Sequence, residues 1–257
     1  MRRIRVIPVL LLKDDGLVKT VKFKKPNYIG DPTNAVKIFN EKEVDEMVFL
    51  DIDATKLNKD PDYNKIEDIA SECFMPLGYG GGIKTLDQIK KTFAIGVEKV
   101  IINSAIISNP GMITNASKIY GSQSIVASVD VKKDIFGKYI CYSESGKIKI
   151  KQPFSDYIKY IENIGFGEII LTSIDNEGTF NGYDIQLLKH VTASVNIPIV
   201  ANGGASDVND FSDAVINGGA SAVAAGSMFV YKSTNKGVLI NYPSQEDLKQ
   251  GLFNKIN

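Results

Sequence analysis

The chain has 257 residues, 44% of them hydrophobic, with 30 basic and 30 acidic side chains. That size suits one α/β barrel, for which roughly 250 residues is typical. Zero formal net charge speaks against a nucleic-acid or membrane partner, either of which would draw on a basic excess. No apolar run approaches the roughly 20 residues that span a bilayer. Met1-Arg2-Arg3 leads into a short strand rather than a signal segment, so a cytoplasmic location is expected. Cys73 and Cys141 lack metal-ligand spacing, and the single His190 lies in a helical stretch; neither a metal nor a cofactor is expected.

In chain order, the predicted strands are 5–12, 47–51, 75–79, 99–103, 124–130, 168–173, 198–202 and 222–226. Their continuous Val/Ile/Leu character, without alternation, suits parallel strands covered on both faces. Helices lie between them, such as 32–42, with Pro32 near its start, and 85–95, which stops at Gly96. Residues 139–142 and 147–150, separated by 143–146, read as a β-hairpin inserted after the fifth strand.

An internal repeat favours a closed barrel over an open sheet. Pro76-Leu77-Gly78-Tyr79-Gly80-Gly81-Gly82-Ile83 resembles Pro198-Ile199-Val200-Ala201-Asn202-Gly203-Gly204-Ala205, and 198 − 76 = 122. Glu46 and Glu168 head two similar strands at the same offset, as do Asp53 and Asp175. A shared offset across three segments implies two four-strand half-barrels in one (β/α)8 TIM barrel. With no linker or low-complexity segment, residues 1–257 read as one domain.

In such a barrel chemistry sits at the C-terminal ends of the strands, where backbone N–H groups can cradle phosphate. Gly81-Gly82 and Asn103-Ser104 follow strands three and four; Gly203-Gly204 and Gly226-Ser227 follow strands seven and eight. The two cradles should face each other across the mouth and hold a ligand with a phosphate at each end.

These motifs, in this order, resemble the cyclase subunit of imidazole glycerol phosphate synthase, the HisF family. The resemblance covers nearly the whole chain. Its points are Ile7-Pro8, Val48-Phe49-Leu50-Asp51-Ile52, Gly80-Gly81-Gly82-Ile83, Asn103-Ser104-Ala105, Asp130, Leu171-Thr172-Ser173-Ile174-Asp175, Gly178-Thr179 and Gly182-Tyr183-Asp184. It implies a glutamine-dependent amidotransferase/cyclase complex, lyase-like, in which a glutaminase docks at the N-terminal face and ammonia travels up the barrel axis. It further implies an ammonia gate of Arg5, Glu46, Lys99 and Glu168, a phosphate contact at Gly178, and channel or substrate residues Asp51, Thr172 and Asn202. Asp130 and Lys19 match catalytic positions, and the Lys-rich segment 13–25 is expected to be a mobile lid.

One departure sits at the chemistry. The family pairs two aspartates across the mouth as acid and base, and the position of the first is Leu11, which cannot carry a proton. Gly78-Tyr79 and Ile101 also differ at positions expected to face the channel. Leu10-Leu11-Leu12-Lys13, residues 16–23, Tyr79-Gly80-Gly81-Gly82 and residues 238–243 resemble a divergent branch associated with bacterial surface-sugar biosynthesis. That implies an ammonia relay for sugar amidation, with a separate sugar amidotransferase as a further partner. Two alternatives stand beside it. One is an authentic histidine-pathway cyclase, with Asp14 in place of the missing acid; the other is a non-catalytic scaffold that activates its glutaminase.

Overall fold

Chains of Val, Ile and Leu form strands because branched side chains fit a pleated surface covered on both sides. A computed structural model of the chain describes residues 4–232 and 237–256, and the predicted start at 1–3 lies outside them. Twelve strands are present among the described residues: β1 (Arg5–Lys13), β2 (Gly16–Val21), β3 (Lys24–Gly30), β4 (Met47–Asp51), β5 (Leu77–Gly80), β6 (Lys99–Ile102), β7 (Ile125–Lys133), β8 (Tyr139–Ser143), β9 (Ile148–Lys149), β10 (Glu168–Ser173), β11 (Ile199–Asn202) and β12 (Ala222–Ala225). Eight of them pair in parallel as β1-β4-β5-β6-β7-β10-β11-β12, and β12 returns to β1, closing a (β/α)8 barrel. The β8–β9 hairpin falls where the sequence places it.

Alternate residues of each strand face inward or outward. Inside the barrel Ile7, Val9, Val48, Ile101, Val126, Ile170, Val200, Ala222 and Ala224 form one buried cluster. The outward residues pack against the helices in a second, larger core. Tyr79 belongs to that outer core, which corrects its expected place at the channel; Gly78 and Ile101 do face inward.

The repeat extends into the helix starts. Thr85 and Asp207, at 207 − 85 = 122, each close a capping box, with Gln88 and Asp210 respectively. Both glycine pairs leave the right-handed region, with φ of +127° and +72° at Gly81 and Gly82 and of +91° and +114° at Gly203 and Gly204. The same backbone bend is therefore built twice, half a barrel apart.

The segment expected to be a lid is built from two strands. Residues 16–30 form a hairpin whose first strand pairs antiparallel with β1, Leu11 opposite Val18. Its turn at Lys22 and Phe23 has φ of +53° and +60° without glycine or asparagine, so no turn signal marks it in the sequence.

Candidate active site

At the C-terminal ends of the strands lies a cavity of about 520 Å³. The expected phosphate and catalytic positions and the channel residues Asp51, Thr172 and Asn202 all line it: Gly81, Gly82, Asn103 and Ser104 on one side, Gly203, Gly204, Gly226 and Ser227 on the other, with Gly178, Asp51, Thr172, Asn202, Asp130, Lys19 and Leu11 between. The two glycine groups follow β5/β6 and β11/β12, which stand diametrically opposite in the strand order. At Gly81 a Cβ would come within 2.7 Å of the Asp51 carbonyl oxygen, so the turn itself demands glycine whatever binds there. Ser227 gives a ligand-directed signal: its Oγ is buried and has no hydrogen-bond partner among the described residues. A buried hydroxyl without a partner is costly unless a ligand completes it.

Asp130 points inward from β7 and is buried. Burial pushes its carboxyl up to about 7, although Asn103 Nδ2 donates a hydrogen bond to Oδ2 at 3.1 Å. The same Asn103 amide donates to the Ser128 carbonyl at 3.0 Å, which fixes its orientation. Thr172 and Asn202 are joined side chain to side chain, Asn202 Nδ2 donating to Thr172 Oγ1 at 3.1 Å. Asp51 spends one carboxylate oxygen on the backbone N–H groups of Asp53 and Ala54, at 3.0 and 2.9 Å, and so shapes the loop after β4 as well as lining the cavity.

Lys19 is buried too, against Glu177. Burial draws its ammonium down to about 7, while the Glu177 carboxylate opposes that shift. Glu177 is a residue that sequence reasoning passed over. It accepts from Lys19 Nζ, from Thr20 Oγ1 at 3.2 Å and from the Phe23 N–H at 3.1 Å, while its carbonyl takes the Lys22 N–H at 2.9 Å. It thereby pins the β2–β3 hairpin over the cavity. The available signal was the repeat, which pairs residue 177 with Thr55, another lining residue.

Leu11 occupies the mouth half-buried, among Val9, Leu50 and Phe23. No carboxylate takes its place from the following turn: Asp14 is exposed, pairs with Lys13 at 3.0 Å and does not line the cavity. His190 lies outside the cavity, with Nε2 2.9 Å from Ser155 Oγ. Among the described residues no cluster of His, Cys, Asp or Glu could hold a metal ion, and no helix is long and apolar enough to cross a membrane.

At the opposite end of the barrel, Arg5, Glu46, Lys99 and Glu168 form a closed ring of alternating charge. Arg5 pairs with Glu46 and, at 2.8 Å, with Glu168; Lys99 pairs with Glu46 at 2.9 Å and with Glu168 at 3.2 Å. Burial works against the Arg5 charge, and Glu168 and Glu46 more than offset it, raising its pKa. The apolar interior cluster separates this ring from the cavity.

The model of the family described as histidine biosynthesis protein matches residues 5–235. The chain is 48% identical to a provisionally named imidazole glycerol phosphate synthase subunit hisF2 of Pseudomonas aeruginosa, across 98% of this chain and 100% of the relative. It is 50% identical to a provisionally named subunit hisF3 of Vibrio vulnificus, across 98% and 97%. Against the imidazole glycerol phosphate synthase subunit HisF of Alkaliphilus metalliredigens the identity is 38%, across 90% and 92%.

Proposed function

Because the chain belongs to the histidine biosynthesis protein family, as a HisF-type imidazole glycerol phosphate synthase subunit, we propose that it relays ammonia from a glutaminase to the mouth cavity. In this reading residues 1–257 act as a single domain within a glutamine amidotransferase complex. The observation that carries it is the closed ion-pair ring beneath an apolar barrel interior. Neutral ammonia can cross an apolar passage that excludes ammonium, for burying an unpaired charge is prohibitive. A ring held only by mutual pairing opens when one member swings aside. The glutaminase docks at the N-terminal face, where Phe74, after the helix that leads into β5, is 86% exposed. The two glycine cradles, with Ser227 Oγ at one of them, hold a phosphorylated ligand.

The ammonia serves amidation of a bacterial surface sugar rather than ring closure. Leu11 supports this, since it removes one member of an acid/base pair that is typically worth 10²–10⁴ in rate. One observation favours a histidine-pathway cyclase instead: Asp130 and Lys19 share one cavity, each brought to about 7 by burial, which is where an acid and a base work at neutral pH.

The experiment is reconstitution with purified glutaminase and glutamine. The relay reading expects faster glutamine hydrolysis when the barrel is added and glutamine-derived nitrogen in an amidated product once the acceptor enzyme is present. Faster hydrolysis with no such product in the full system makes the barrel a scaffold.

A further inference from the structure

The rim of the mouth is apolar beyond what a small ligand needs. Tyr28 in β3, Leu57 after β4, Ile107 after β6 and Ile148 in β9 are all exposed on elements that leave the C-terminal ends of barrel strands. Beyond them stand Ile135 and Phe136 at the β7–β8 turn, 93% and 80% exposed. This tip is held rigidly. Asp134 Oδ1 accepts the N–H groups of Phe136 and Lys138, both at 2.9 Å, and the Asp134 N–H donates to the Lys138 carbonyl at 2.9 Å. A pre-formed apolar tip loses little conformational freedom when it is buried by a partner.

Charge is segregated in the same arm. Residues 132–151 carry six lysines and two acids, 6 − 2 = +4, within a chain of zero net charge. Lys132, Lys138, Lys147, Lys149 and Lys151 are exposed and make no ion pair among the described residues. Lysines on an edge strand discourage strand pairing, and β9 ends the sheet. That role accounts for Lys149 but not for Lys132, Lys138 or the Ile135–Phe136 tip.

We infer that this face docks a second protein over the mouth, one that offers an apolar pocket for Ile135 and Phe136 inside an acidic rim. The partner holds the ammonia acceptor, so the inference rests on the relay reading. A protein fits better than an anionic bilayer, because exposed Asp14, Asp15 and Glu144 stand on elements of the same face and would be pressed against the lipid charge. The basic arm and the acidic side of the rim instead ask for a surface of matching pattern.

The test places a benzoylphenylalanine cross-linker at Phe136, or separately at Phe74 on the opposite face, in cells that make the protein naturally. The protein captured through position 136 is then purified, and its affinity for the wild-type chain is compared with that for I135S/F136S. We expect distinct adducts at the two positions and at least tenfold weaker binding by the double variant, the loss that follows when two central anchors go. A glutaminase adduct at 74 with none at 136 overturns the docking surface and leaves the relay intact. Absence of both adducts counts against the relay as well. Equal affinity for the double variant overturns the inference, as does binding to phosphatidylglycerol vesicles that I135S/F136S abolishes.

Discussion

Lys99→Ala probes the floor ring at the member whose loss leaves both carboxylates with one cation. Lys99 Nζ lies 2.9 Å from Glu46 and 3.2 Å from Glu168, whose side chains are 4% and 8% exposed. Breaking a fully buried pair costs about 3–5 kcal/mol. Here Arg5 still faces both carboxylates and Lys99 itself reaches solvent, so the expected loss is about 1–3 kcal/mol. For a chain of this length that lowers Tm by roughly 2–12 °C. Thermal unfolding measures the first effect. The second is read with purified glutaminase, as product nitrogen per glutamate released: hydrolysis persists while transfer falls. Lys99→Arg, which keeps the charge, restores much of the stability. A variant with unchanged Tm and unchanged coupling would refute the view that these four side chains form a working gate.

Asp130 carries a pH signature. Its folded pKa is raised to about 7, so the neutral carboxyl is the stable buried form, and the stability present below pH about 4 is lost as pH rises toward 7. Asp130→Asn should therefore unfold at a higher temperature than wild type at pH 8 and show little difference at pH 4; parallel melting curves at both pH values would contradict the burial argument. Ser227→Ala removes a hydroxyl that has no hydrogen-bond partner among the described residues, so stability should hold or rise slightly. Calorimetry with inorganic phosphate should meanwhile show weaker binding, and unaltered binding would detach Ser227 from the cradle. Leu11→Asp should cost no more than about 1–2 kcal/mol in urea unfolding, because Leu11 is half-buried at the mouth. A larger loss would make Leu11 a core residue.

The barrel was legible because its signals are local and doubled. Parallel strands buried on both faces read as unbroken apolar runs, and the 122-residue offset shows in glycines that must take left-handed backbone. Arg5, Glu46, Lys99 and Glu168 were legible as strand-start charges, but their closure into one ring depends on barrel curvature. The β2–β3 hairpin was hidden because its lysines read as a mobile lid rather than as strands and its turn uses Lys22 and Phe23 at positive φ. Burial of Lys19 against Glu177 joins residues 158 apart in sequence, and no periodicity encodes such a pairing. Tyr79 was assigned to the wrong face because strand direction alone cannot say which alternate set points inward.

The most direct test of sugar amidation against ring closure is a cyclase assay with the bis-phosphorylated ribonucleotide of the histidine pathway and free ammonium salt, which removes any need for the glutaminase. With Leu11 where the family's first acid stands, the folded protein is predicted to bind the nucleotide without turning it over. Turnover at rates normal for an enzyme would contradict sugar amidation and make Asp130, with Lys19 and Glu177, a working cyclase site.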